Sequence, residues 1–147
     1  MKIFIDTLKW VIVHEERESP FYMGENNVSR VRIYFNSEPD NWYPVMKFLL
    51  PNGRRKNPIN YDVSGYGVET IYNIPGDESA IWHFFDFTVS AWKGILVIPG
   101  DLQMTAIIRH CNDDGITVAE RMFNFKNLVC KTTSYSDGNV IVIGDDP

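Results

Sequence analysis

The histidines are the first residues to weigh for chemistry, because imidazole moves protons near neutral pH and binds metals. There are three of them: His14, His83 and His110. His110 is followed directly by Cys111. Adjacent residues on a strand point to opposite faces, so this pair cannot share a metal ion. Partly buried or edge positions are the better account of the histidines. Cys130 is the second of two cysteines. The hairpin register described below sets Cys111 opposite Val118 and leaves Cys130 well beyond, which predicts two free, largely buried thiols. Asn112-Asp113-Asp114-Gly115 has the acidic look of a calcium loop. The closing glutamate of that pattern is missing, so a hairpin turn is the preferred reading. Asp86 sits among Trp82, Phe84, Phe85 and Phe87, surroundings that would raise a carboxyl pKa and suit a hydrolase. The plainer expectation puts Asp86 on the outer face of its strand, alternating with inward aromatics. No serine lies in the Gly-x-Ser-x-Gly setting of a nucleophile elbow. No catalytic residues, cofactor site or metal site are expected.

Aromatic residues offer a second chemistry. Trp42, Tyr43 and Trp92 are candidates for a sugar-stacking platform, with Trp82 a further tryptophan. Trp42 follows Pro39-Asp40-Asn41 and is expected to be exposed in a loop. Tryptophan serves cores and protein interfaces more often than glycans, and that is the preferred reading. Arg54-Arg55-Lys56 is a compact basic patch, read as a solvated turn or a mate for an acidic neighbour.

The elements that must position these residues read as strands. Leu96 to Val129 contains a Pro-Gly turn, an alternating run, Asp114-Gly115 and a second alternating run. Asp-Gly between such runs signals a hairpin with a type I′ turn. Folding there places Met104, Ala106 and Ile108 on one face with Phe123 and Phe125. Further strands are expected at Ile3–Ile5, Trp10–Val13, Val28–Phe35, Tyr43–Leu50, Tyr61–Ser64, Val68–Ile74, Ile81–Val89, Ala91–Ile98 and Val140–Ile143. Glu15 to Ser19 reads as a polar loop. No amphipathic helix of three turns appears. Many short strands spaced by turns predict an all-β fold, an antiparallel sandwich of immunoglobulin-like or jelly-roll-like form. Residues 1–27 are expected to form an N-terminal strand or arm, 28–130 the sandwich, and 131–147 a C-terminal arm or strand.

The bulk numbers fit a single folded domain. The chain has 147 residues, 44% hydrophobic and 22% charged, which is globular composition. Its net charge of −5 argues against nucleic acid as a partner. No run approaches the roughly 20 apolar residues of a membrane helix. The N-terminal run is broken by Asp6 and Lys9 and reads as a strand rather than a signal peptide, which predicts synthesis in a cytoplasm.

Three segments carry a likeness to a known family. They are Tyr43-Pro44-Val45-Met46-Lys47-Phe48-Leu49-Leu50-Pro51-Asn52-Gly53, Ile95-Leu96-Val97-Ile98-Pro99-Gly100-Asp101-Leu102-Gln103-Met104 and Met122-Phe123-Asn124-Phe125-Lys126-Asn127-Leu128-Val129. In order and spacing, Val28 to Val129 resembles the N-terminal β-sandwich of the upper baseplate proteins of tailed phages. The resemblance implies a virion structural protein of tail or baseplate, made in the host cytoplasm, with no catalytic residues to carry over. Its expected partners are copies of itself and other virion proteins. Ile3, Ile5, Trp10, Trp42, Tyr43, Val140, Ile141, Val142 and Ile143 are the candidate contact residues. A head-fibre or capsid-decoration role and a carbohydrate-binding module are the alternatives.

Overall fold

The computed structural model describes residues 1–17, 21–26, 29–51, 65–90 and 94–132. Nine strands lie among them: β1 Lys2–Asp6, β2 Val11–Glu16, β3 Phe21–Tyr22, β4 Ser29–Phe35, β5 Trp42–Leu49, β6 Gly65–Thr70, β7 Ile81–Val89, β8 Gly100–Cys111 and β9 Thr117–Lys131. They form a five-stranded sheet in the order β2-β1-β4-β7-β6 and a four-stranded sheet in the order β3-β9-β8-β5. The fold is all-β and sandwich-like. Alternation explains why these sequences pair as they do. Val31, Ile33 and Phe35 of β4 and Phe85, Phe87 and Val89 of β7 supply one inner face. Met46 and Phe48 of β5, Met104, Ala106 and Ile108 of β8, and Phe125 of β9 supply the other. Each large side chain buried this way contributes about 1.5–3 kcal/mol.

The long hairpin has the expected register, with Met104 opposite Phe125 and Ala106 opposite Phe123. Its turn is different. Gly115 alone supplies a positive φ, 77°, and Asp114 has none, so the turn is not type I′. The Gly115 amide donates to the Asn112 carbonyl at 3.0 Å, and the Asn112 amide to the Ile116 carbonyl at 2.9 Å. Asn112 Oδ1 also accepts the amides of Asp114 and Ile116, each at 3.0 Å. This is a longer loop of the type I turn plus left-handed glycine kind, held by an asparagine side chain. A register shift between His110 and Cys111 then sets Cys111 opposite Thr117 rather than Val118. Both cysteines are free.

Other expectations change on contact with the tertiary structure. The sheets are mixed rather than purely antiparallel, because β1 runs parallel to β4 and β3 parallel to β9. β1 lies inside its sheet between β2 and β4, so the N-terminal segment is part of the sandwich and not an arm beside it. β2 continues through Glu15 and Glu16, which pair with Ile3 and Lys2. β6 stops at Thr70, and the chain leaves the sheet by way of Asn73, whose φ is 64°. Gly94 turns the chain (φ 83°), and Ile95 and Leu96 enter the core from a loop instead of a strand. Tyr61–Ser64, the basic patch Arg54-Arg55-Lys56, and the segment 133–147 lie outside the described residues.

A second apolar cluster covers the outer face of the five-stranded sheet. Phe4 stacks on Tyr34 at 4.6 Å and meets Trp82 edge-on at 5.3 Å. Ile74, from the connection between β6 and β7, packs onto them. The Trp82 indole donates to the Ser79 carbonyl at 3.1 Å, which anchors that connection. The sheet is thus buried on both faces around β1, β4 and β7.

Candidate functional site

Three places in the described structure gather polar or unusual groups. The first is the outer face of the five-stranded sheet beside the Phe4–Trp82 cluster. The period-two spacing of Arg30 and Arg32 sends both guanidiniums to that face, and the β4–β7 register brings Asp86 beside them. Asp86 is 6% exposed. Arg30 pairs with its Oδ2, and Arg32 Nε approaches its Oδ1 at 3.3 Å. Arg32 also reaches Glu69 on β6 at 3.4 Å, and the Tyr34 hydroxyl donates to the same Glu69 oxygen at 3.0 Å. The Arg32 guanidinium lies over the Phe84 ring at 4.3 Å. Burial raises the Tyr34 pKa to about 12; Arg32 pulls the other way and Glu69 adds to burial. Gly67 leaves room for the Phe84 ring, since a Cβ there would come within 2.5 Å of it. Each carboxylate here is engaged by a cation across strands. The arrangement ties β6, β7 and β4 together, with Asp86 held between the two guanidiniums.

The second place is one end of the sandwich, where aromatic side chains from both sheets meet. Trp10 sits in the β1–β2 connection with φ 53°, a strained conformation for a bulky residue. Its ring meets Trp42 edge-on at 5.4 Å and His110 at 5.2 Å. The Arg121 guanidinium of β9 lies 5.6 Å from the same ring. His110 Nε2 is buried without a hydrogen-bond partner. The cluster closes the end of the core, with Phe35 4.4 Å from Trp42.

The third place is the hairpin of β8 and β9. β9 is the longest strand, and residues 117–122 of it are exposed on both faces. Ile116, Val118 and Met122 are 61%, 63% and 60% exposed. β3 borders β9 only at Cys130 and Lys131. On the edge away from β8, no strand among the described residues pairs with β9 from Thr117 to Val129. Arg17 reaches in from the side to donate to the Lys126 carbonyl at 2.8 Å.

The residues expected to make contacts are therefore distributed differently. Ile3 and Ile5 are fully buried in the core and cannot be contacting side chains. Trp42 opens β5 with its ring turned inward, not out into a loop, because it faces Phe35 and Phe85 across the sandwich. Tyr43 points to the opposite face and is exposed. Trp42 and Tyr43 thus form no common platform, and Trp92 lies outside the described residues, as do Val140, Ile141, Val142 and Ile143. Trp10 is partly buried. Asp86 is on the outer face as expected, but Trp82 and Phe84 share that face with it. His14 contacts Glu16 at 3.0 Å, and His83 contacts the Tyr66 hydroxyl at 2.8 Å. The three histidines stand in separate places. Among the described residues no three His, Cys, Asp or Glu side chains gather as a metal site would require.

The exposed flank of β9 was not singled out from the sequence. Its signal was present: Ile116, Val118 and Met122 follow the hairpin turn, while the inward aromatics begin only at Phe123. No protein family, curated protein or solved structure matches the chain.

Proposed function

We propose that this protein is a non-enzymatic assembly module, a β-sandwich that associates with copies of itself and with other proteins. The observation that carries this reading is the projecting flank of β9, where Ile116, Val118 and Met122 stand exposed beside an unpaired strand edge. An apolar, open edge is a template for another chain, and proteins otherwise blunt such edges with charge, bulges or cover. The likeness of the strand motifs to upper baseplate proteins supports a place in a phage virion, at tail or baseplate, docking other structural proteins there. The acidic net charge fits protein partners better than nucleic acid.

Light scattering coupled to size exclusion tests the reading. The native chain is expected to elute as an oligomer. Replacing Val118 and Met122 together by lysine is expected to yield a monomer with an unchanged circular dichroism spectrum. A native chain that is monomeric at every concentration, and that captures no structural protein from particles of its source, would overturn it.

A further inference from the structure

Toward its C-terminal end, the edge of β9 away from β8 is met by its own chain. β3 runs parallel to it there, with Phe21 beside Cys130 and Tyr22 beside Lys131. The Met23 amide donates to the Lys131 carbonyl at 2.8 Å, and the Gly24 amide to the Leu96 carbonyl at 2.9 Å, which anchors that strand. Arg17 stands ahead of it. Its Nη1 donates to the Lys126 carbonyl at 2.8 Å across 109 positions of sequence, the same separation that divides Phe21 from Cys130. Glu15 of β2 accepts from Nε of the same guanidinium and fixes its direction. The ladder between β8 and β9 changes at the same place. Leu102 pairs with Leu128 and Met104 with Phe125, so Gln103 alone stands opposite Lys126 and Asn127. Two residues against one make a β-bulge, which bends a strand and takes a residue out of the ladder. Bulges and charged side chains are two of the means by which sheets keep foreign strands off an edge.

From these contacts we infer that Arg17 is an intramolecular stop on the edge of β9. It occupies the Lys126 carbonyl that an incoming strand would need, and with the bulge it limits the edge left to a partner to Thr117–Phe125. The inference rests on the assembly reading above and adds how that surface is restrained. The stop belongs to one sheet and acts on the other. Glu15 is fixed in the five-stranded sheet by its pairing with Ile3, and the carbonyl it aims Arg17 toward lies in the four-stranded sheet. Arginine suits the task, because its planar fork engages a carboxylate through one nitrogen and a carbonyl through another. A strand adding from the hairpin loop inward meets no paired strand among the described residues before the bulge. Beyond Phe125 it must displace the guanidinium to gain further hydrogen bonds. The Arg17 side chain is 39% exposed, so the contact is a brake that a partner can overcome rather than a bar.

The test reads association by sedimentation or light scattering across a concentration series. Arg17 is exposed, so Arg17→Met leaves the core intact while removing the charge and every donor. The variant is expected to lower the dissociation constant of the oligomer by about threefold or more, the weight of one competing hydrogen bond. Lys9→Met removes the same charge from an exposed position in the β1–β2 connection and is expected to leave the constant within about twofold of native. Adding Val118→Lys and Met122→Lys to Arg17→Met should abolish the gain. If the native chain associates and Arg17→Met associates equally or more weakly, the stop is wrong while the assembly reading survives. A gain matched by Lys9→Met, or one that persists with the two lysines in place, also overturns the stop, because it then comes from net charge or from another surface. A native chain that is monomeric throughout, with an Arg17→Met variant that associates, upholds the stop and overturns the reading beneath it. Both chains monomeric throughout overturns both.

Discussion

At the scale of single residues, Asp86 and Tyr34 show what the outer face of the five-stranded sheet contributes. Asp86 is buried and engaged by two guanidiniums, so Asp86→Asn leaves Arg30 and Arg32 side by side with one carboxylate fewer. A loss of about 1–3 kcal/mol is expected, the weight of hydrogen bonds to a charged group. Urea unfolding should show it as a lower midpoint with an unchanged slope. Arg30→Met should cost less than about 1 kcal/mol, since that side chain is half in water. Tyr34 makes a pH prediction. Its folded pKa is raised from 10.0 to about 12, so the folded state holds the phenolic proton more tightly than the unfolded chain. The contribution is complete below pH 10 and is lost as the pH rises from 10 to about 12. Near-ultraviolet titration of the seven tyrosines should show a late-ionising group that Tyr34→Phe removes. The sequence made Asp86 conspicuous by its aromatic neighbours but could not show the arginines, which arrive from a strand more than fifty positions away. It misplaced Trp42 for a related reason. A polar loop precedes that residue, and the local pattern holds nothing about Phe35 waiting across the sandwich.

At the scale of elements, alternation was legible wherever one face is wet. β7 has the bounds Ile81–Val89 that its run of aromatic and β-branched residues predicts. β8 and β9 pair in the expected register from Met104 to His110, with a shift at each end. What alternation does not record is which neighbour a strand chooses. The parallel placement of β1 against β4 leaves no local trace, because a strand buried on both faces can be flanked from either direction. The second apolar layer of Phe4, Tyr34 and Trp82 was likewise invisible, since it depends on Ile74 folding back over the sheet. β6 carries a test of how this layer is fitted. Gly65 and Gly67 face Asp86 and Phe84 across the ladder, and only the bare backbone at Gly67 admits the Phe84 ring. Gly67→Ala is expected to destabilise by about 1–3 kcal/mol, an overpacking cost. In a thermal-unfolding cycle, Phe84→Leu should relieve most of that penalty. Equal penalties in both backgrounds would mean that Gly67 acts through the backbone alone.

At the scale of the whole molecule, stability and association should be coupled. A partner that binds only the folded chain raises its melting temperature as concentration rises. The native protein is expected to show this dependence over a hundredfold range in calorimetry, on the order of 3 kcal/mol of linkage at the upper end. The double lysine variant at Val118 and Met122 should melt at one temperature throughout. The overall class was readable because composition, turn spacing and period-two patterning all point to packed sheets. The exposed flank of β9 was not, because exposure of a strand depends on how far it outruns its neighbours. β9 is fifteen residues long, about 50 Å, and its first third touches little beyond β8. The core draws almost nothing from that strut, so its outward residues can be rewritten by mutation while the fold persists. A lineage carrying this scaffold could exchange one companion for another at the hairpin tip with no intermediate that fails to fold.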